Sequence, residues 1–132
     1  MKETLKIEIP VYRTRLHVFF GSLDECAKAM SLDGRPEHYI EDWKQHTEEL
    51  RGMYSQDGDY RLLWLPMWPK SVDDYGCMVH EIWHAVFHIL QSRGLRHSED
   101  SDEAYAYLAG YLFSEIDAYV AEESERMNNA RE

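Results

Sequence analysis

The segment from Ser71 to Gly94 constrains the fold of this chain more than any other feature of its sequence. Ser71 is a good N-cap residue, and the two aspartates after Val72 suit the first turn of a helix. Gly94 suits the position just beyond a helix C-terminus, so the segment predicts one long helix over residues 72–93. Apolar residues occupy most sides of that helix, at Met78, Val79, Ile82, Trp83, Ala85, Val86, Phe87, Ile89 and Leu90. A helix that is apolar on most sides is typical of a protein core, and we expect it to be buried.

The remaining periodicities predict strands and further helices around this segment. Alternation of apolar and polar residues, or short apolar runs bounded by turn residues, predicts strands at residues 5–9, 15–20, 53–55 and 60–65. N-cap residues, helical periodicity and terminal glycines predict helices at residues 23–32, 37–51 and 102–126. The strand at residues 60–65 has two interpretations, either a core strand or an edge that pairs with an extended peptide. The length of 132 residues favours one α+β domain, residues 1–132.

The charge of the chain excludes several classes of partner. The sequence carries 14 Lys and Arg against 25 Asp and Glu, a formal net charge of −11. Nucleic acids and anionic membranes require a basic surface that displaces counterions, and the sequence has no Lys/Arg cluster, so we expect neither partner. No stretch is long and apolar enough to cross a bilayer, and the N-terminus lacks the apolar run of a secretory signal. We therefore expect a cytoplasmic protein.

The predicted helix contains the motif H-E-x-x-H as HEIWH, residues 80–84. The spacing of four places His80 and His84 on one helix face, one turn apart, where both imidazoles can bind the same small cation. Two imidazoles leave positions for a third ligand and a water on Zn²⁺, and Glu81 lies beside the ion, where it can accept a proton from that water. In a buried helix these groups would be costly without a partner, which favours a bound metal ion.

A third ligand is expected from the acidic segment that follows. Eighteen residues lie between His84 and Glu103, enough for the helix to end and for a second helix to return past the metal ion. Small residues beside the next turns would let the two helices approach closely, at Ala106, Ala109 and Gly110. Two alternatives stay open. The acidic pair at 102–103 suits a helix N-terminus without any metal ion, and Glu99, Asp100 and Asp102 compete for the ligand role.

HEIWH followed by the Glu of DEAYAYLAGYL resembles a gluzincin-type zinc metallopeptidase, of the thermolysin-like and aminopeptidase-like kind, in a minimal form. The residues from about 60 to 120 also resemble small phage-encoded or prophage-encoded HExxH proteins. The resemblance implies a zincin-like fold, with a small antiparallel sheet of about three strands on three to four helices, including an active-site helix and a second metal-site helix. It implies that His80, His84 and Glu103 bind the metal ion and that Glu81 is the general base.

The resemblance further implies a zinc-dependent hydrolase that cleaves a peptide bond with metal-activated water, acting on a peptide or protein. One position departs from the family pattern. Thermolysin-like enzymes carry an Asp four residues after the third ligand, where this chain has Tyr107. Because Tyr107 follows Glu103 by one helical turn, it is a candidate to hydrogen-bond the oxyanion or the substrate.

Two other functions compete with a peptidase. The first is a catalytically inactive zinc-binding protein, related to phage biology, whose metal ion clamps two helices while the protein binds a partner. The second is a metal-free helical interaction module in which HEIWH is fortuitous. His88 lies on the same helix face as the motif and either supports the site or packs, and His97 lies either near the mouth of the site or in solvent.

Overall fold

The computed structural model describes residues 2–130, which form four strands and four α-helices, joined in the order β-β-α-α-β-β-α-α. The strands are β1 (Leu5–Ile9), β2 (Thr14–Phe20), β3 (Met53–Asp57) and β4 (Tyr60–Leu65). The helices are α1 (Leu23–Leu32), α2 (Glu37–Thr47), α3 (Val72–Ser92) and α4 (Asp102–Ala130), and a 3-10 turn (Pro10–Tyr12) separates β1 from β2. The α+β class is as predicted, and the four strands are one more than the three or so that the family resemblance implies.

The four strands form one mixed sheet in the order β1-β2-β4-β3. The pairs β1–β2 and β3–β4 are antiparallel, but β2 and β4 are parallel. The expectation of an antiparallel sheet is therefore wrong for the central pair. The reason is connectivity: the chain leaves β2, passes through α1 and α2, and returns as a β3–β4 hairpin whose second strand lies beside β2. A parallel pair requires such a crossover, which strand patterns alone do not predict.

The sheet separates two layers of helices. Alternate side chains of β4 enter opposite cores, with Leu63 and Leu65 on one side and Leu62 and Trp64 on the other. Helices α3 and α4 cover the first side, and α1 and α2 cover the second. Because β4 pairs with both β2 and β3, it has no free edge, and the interpretation of residues 60–65 as a core strand is confirmed. The edge beside α3 belongs to β3.

Local capping fixes the helix ends. Reciprocal capping boxes, Ser22 with Glu25 and Ser71 with Asp74, begin α1 and α3 as their N-cap residues predict. Gly94, at φ +82°, ends α3 while Leu95 N–H donates to the Leu90 carbonyl at 2.9 Å.

Two helix ends differ from the predicted bounds. Helix α2 stops at Thr47 instead of residue 51, because the backbone leaves the helical region at Glu48, with ψ +135°, and at Glu49, with φ +74°. Helix α4 continues to Ala130, beyond the predicted residue 126. Within residues 2–130, no helix combines the length and apolar character that a membrane span requires.

Candidate metal centre

Helix α3 directs the two motif histidines away from the core. Its buried stripe faces the sheet and α4 and consists of Met78, Ile82, Ala85, Val86, Ile89 and Leu90. His80 and His84 lie on the opposite face, and the His80 side chain is 67% exposed. Trp83 is also 42% exposed, so the prediction that this helix is buried on most sides is wrong. The imidazoles therefore need no metal ion to offset burial, and the case for a metal ion depends on geometry.

The geometry of the two imidazoles suits a shared cation. The Nε2 atoms of His80 and His84 are 3.2 Å apart, with ring centroids 4.8 Å apart and planes inclined by 74°. Two nitrogens bound to one tetrahedral Zn²⁺ at about 2.05 Å lie about 3.3 Å apart. The helix thus holds the pair at the separation that zinc requires. The same separation permits an N–H···N hydrogen bond between two neutral rings.

Glu81 is fixed by the edge strand. Its side chain is 13% exposed, and its Oε1 accepts a hydrogen bond from the Tyr54 backbone N–H at 2.7 Å. Its Oε2 lies 3.9 Å from His80 Nε2. A side chain at Gly52 would disturb this arrangement, because its Cβ would lie 2.8 Å from Leu65 and 3.4 Å from Glu81 Cγ. One carboxylate oxygen is therefore anchored on β3, and the other is directed towards the imidazole pair.

An open groove of about 630 Å³ gives access to His80 and Glu81. His80 and Glu81 form part of its wall, together with the start of α3 and the segment before β3. Asp73 and Cys77, which also line the groove, lie on the same side of α3 at helical spacing from His80. The site is therefore open enough for water and an extended ligand to reach Glu81.

The structure does not gather Glu103 with the histidines. The buried stripe of α4, through Tyr105 and Leu108, turns Glu103 and Tyr107 to the outer face of the helix. Both line a separate groove on α4, and Tyr107 is 75% exposed. Across residues 2–130, no group of three or more His, Cys, Asp or Glu side chains is arranged to hold a metal ion. The identity of a third ligand therefore stays a prediction.

Asp102, His97 and His88 have ordinary partners. Asp102 Oδ1 lies 3.0 Å from His97 Nε2, and the His97 ring packs against Trp83 and Tyr105. His88 stacks on the Tyr54 ring with centroids 5.6 Å apart, and burial lowers its pKa, aided by His84 and Arg61. His88 thus supports the strand that anchors Glu81. The sequence offered no signal for the role of Tyr54, because a backbone N–H carries no residue signature.

A second polar cluster, centred on His17 and Asp33, lies on the opposite side of the sheet. Asp33 Oδ2 accepts hydrogen bonds from the Thr4 and Tyr60 hydroxyls at 3.1 and 2.9 Å. His17 Nδ1 lies 2.9 Å from Thr4 Oγ1 and 3.3 Å from Asp33 Oδ2, and its ring packs on Tyr60. No sequence pattern marks this cluster, because its members are distant in sequence and share no spacing.

Burial of His17 makes stability depend on pH. Burial lowers its pKa from 6.5; Asp33 opposes this shift, while Arg15, Lys6 and Arg35 add to it. Between the two pKa values the unfolded chain binds more protons, so stability is full above about pH 6.5 and falls as pH decreases.

We expect the free energy of unfolding to decrease by up to about 1.4 kcal/mol per pH unit for this one proton. Urea unfolding at a series of pH values should show a shallower decrease for His17→Gln than for the wild type. His46→Gln, at an exposed histidine of α2, serves as the control. Parallel pH profiles for the wild type and His17→Gln would contradict the assignment.

Comparison with known proteins gives no match: no protein-family model, curated protein or solved structure is significantly similar to this chain.

Proposed function

We propose that this chain is a zinc-dependent hydrolase, and a peptidase in its substrate class, with the metal ion held by His80 and His84 and with Glu81 as general base. The observation that carries the proposal is the 3.2 Å separation of the two Nε2 atoms beside a carboxylate anchored by β3. Helical spacing alone accounts for the histidine pair. It does not account for Glu81, which is held by the Tyr54 N–H with its second oxygen directed towards His80.

Zinc at this position would supply a water of lowered pKa, near about 7, and a Lewis acid for a carbonyl oxygen. Glu81 has one oxygen to spare, since Oε1 is engaged by Tyr54 N–H while Oε2 faces His80. That oxygen would take the proton of the attacking water and pass it to the leaving amine. The groove beside Glu81 would hold the substrate.

Glu103 is our proposed third ligand, and Tyr107 our proposed hydrogen-bond donor to the oxyanion. Both lie on the outer face of α4, and the histidines lie on the outer face of α3, in the same helical layer. Tyr111, in the same groove of α4, donates to the Glu8 carbonyl of the edge strand β1, so the proposal requires this face of α4 to turn towards α3 when the metal ion binds.

Zinc stoichiometry tests this ligand set. We expect about one zinc per chain in the wild type and weaker binding by roughly 100-fold or more in Glu103→Ala, since even outer-shell partners cost 10–100-fold. His84→Ala should have at least as large an effect, and Glu115→Ala, at an exposed glutamate of α4 that is not a candidate ligand, serves as the matched control. Equal zinc affinity of Glu103→Ala and the wild type would remove Glu103 from the ligand set. Absence of zinc binding in the wild type would refute the metal proposal and favour the metal-free interaction module.

An inactive zinc-binding protein is the second candidate function. The observation that favours it is the exposure of large aromatic side chains on α3 and α4, at Trp83, Tyr107, Tyr111 and Phe113. Exposed aromatic side chains are enriched where proteins bind one another. Zinc binding without hydrolysis of any peptide library by the wild type would favour this alternative over the peptidase.

A further inference from the structure

The groove beside the His17–Asp33 cluster concentrates positive charge in an acidic protein. It has a volume of about 820 Å³. Four of the 14 Lys and Arg residues of the chain line it: Lys6, Arg13, Arg15 and Arg35. A chain of net charge −11 thus places a small excess of cations around one concave surface. Such a surface attracts small anions.

Several of these cations have hydrogen-bonding capacity to spare. Within residues 2–130, Lys6 and Arg13 make no ion pair, and Arg35 has only Asp57, at 4.0 Å. The Arg35 guanidinium lies over the Tyr60 ring, 4.6 Å from its centroid, and its Nε is buried without an acceptor. Three carboxylates also line the groove: Glu8 pairs with Arg15, Asp33 Oδ2 accepts hydrogen bonds from the Thr4 and Tyr60 hydroxyls, and Asp59 is the third. Cations therefore outnumber carboxylates at the groove by four to three.

His17 adds an acceptor to the floor of this groove. Thr4 gives its one hydroxyl proton to Asp33, so the short contact between Thr4 Oγ1 and His17 Nδ1 requires a proton on Nδ1. The neutral ring then carries its lone pair on Nε2. This atom makes no hydrogen bond within residues 2–130 and is not enclosed, and the residue lines the groove. A ligand that fits must bring both anionic oxygens and a proton.

We propose that this groove binds inorganic phosphate, with guanidinium and ammonium groups on its anionic oxygens and His17 Nε2 accepting its P–OH proton. Arginine forks match tetrahedral oxyanions. Hydrogen phosphate carries the proton that Nε2 requires, whereas sulfate has the same shape without it. A phosphate monoester is largely without that proton at neutral pH, because its second pKa is about 6. Neutral His17 would therefore select phosphate over both.

The proposal is tested by titrating the full-length, metal-free chain with inorganic phosphate, sulfate and glycerol phosphate near pH 7.5. Calorimetry measures the affinity for each anion, and NMR signals of the His17 ring report whether the anion binds beside it. We expect saturable phosphate binding, with affinity at least about tenfold higher than for either other anion. His17→Gln should abolish that selectivity. No saturable binding below roughly 10 mM phosphate, or sulfate binding as tightly as phosphate, would overturn the proposal.

A double variant tests the cations without disturbing the buried cluster. Lys6→Ala/Arg13→Ala should weaken phosphate binding by about tenfold or more, while circular dichroism stays unchanged. Lys70→Ala/Arg126→Ala removes the same two residue types outside the groove and should stay within about twofold of the wild type. Equal weakening by both double variants would show non-specific attraction and overturn the site. Since zinc is absent throughout, these results do not depend on the proposed hydrolase.

Discussion

Glu81→Gln should reduce peptide hydrolysis by this chain by about 10²–10⁴-fold, the usual contribution of a general base, while zinc binding and the fold are retained. Glutamine preserves the shape of the side chain and a carbonyl oxygen that can accept the Tyr54 N–H, as Glu81 Oε1 does at 2.7 Å. It has no basic oxygen to take a proton from water. The substitution therefore separates chemistry from structure more cleanly than Glu81→Ala, which would leave Tyr54 N–H without its partner.

The measurement is kcat/KM on a peptide library, with zinc titration and thermal unfolding of the same preparations. Glu115→Gln, at an exposed position of α4, is the matched control and should change none of the three. If Glu81→Gln lost zinc or stability, Glu81 would be a structural residue. If it kept full activity, another group would be the base and the proposed mechanism would be wrong.

Local signals explain the parts of the fold that the sequence predicts correctly. Residues 60–65 form β4 with the predicted bounds, and Ser22 and Ser71 cap α1 and α3, because an apolar run and a capping residue each act within a few positions. The parallel pairing of β2 with β4 joins residues about 45 positions apart, and no local pattern specifies it.

In the candidate site, too, local spacing predicts some features, whereas others depend on how the helices pack. The histidine pair follows from helical spacing alone, and the shared cation stays a prediction, because the 3.2 Å separation of the Nε2 atoms suits a hydrogen bond as well as a cation. The burial prediction was wrong because Val79 and Trp83, although apolar, face solvent. The orientation of Glu103 depends on how α4 rotates against the core. Glu103 lies five residues before the buried Leu108, which places it roughly 140° around the helix from Leu108. Helical geometry therefore turns Glu103 outwards.

Arg61→Ala should lower the free energy of unfolding by about 3–5 kcal/mol, the largest stability effect that we expect from a single substitution in this chain. Arg61 is 2% exposed and, within residues 2–130, has no carboxylate partner. Four neutral acceptors surround its guanidinium instead: Thr14 Oγ1 at 3.1 Å, Tyr54 OH at 3.3 Å, Gln56 Oε1 at 2.8 Å and Ser92 Oγ at 3.1 Å.

The sign of this effect depends on two opposing terms. Burying a charge without a counterion is unfavourable, so removing it recovers solvation free energy. Removing it also leaves a large cavity and several buried polar atoms without a donor, each worth about 1–3 kcal/mol. The loss of four hydrogen bonds outweighs the solvation free energy that is recovered when the buried charge is removed. Arg61→Met, which keeps most of the volume but no donor, should therefore lose less than Arg61→Ala and still be less stable than the wild type.

Urea unfolding and Tm measure the effect, and we expect Tm to fall by roughly 10–20 °C for Arg61→Ala. Arg15→Ala, which breaks an exposed ion pair with Glu8, should change stability by less than about 1 kcal/mol. An Arg61→Met variant more stable than the wild type would show that desolvation of the charge dominates. Arg61 also supports the proposed site, because it holds the Tyr54 side chain while the Tyr54 backbone holds Glu81. Any hydrolysis by Arg61→Ala should therefore decline below its own Tm, before the chain unfolds, whereas that of Arg15→Ala should persist up to unfolding.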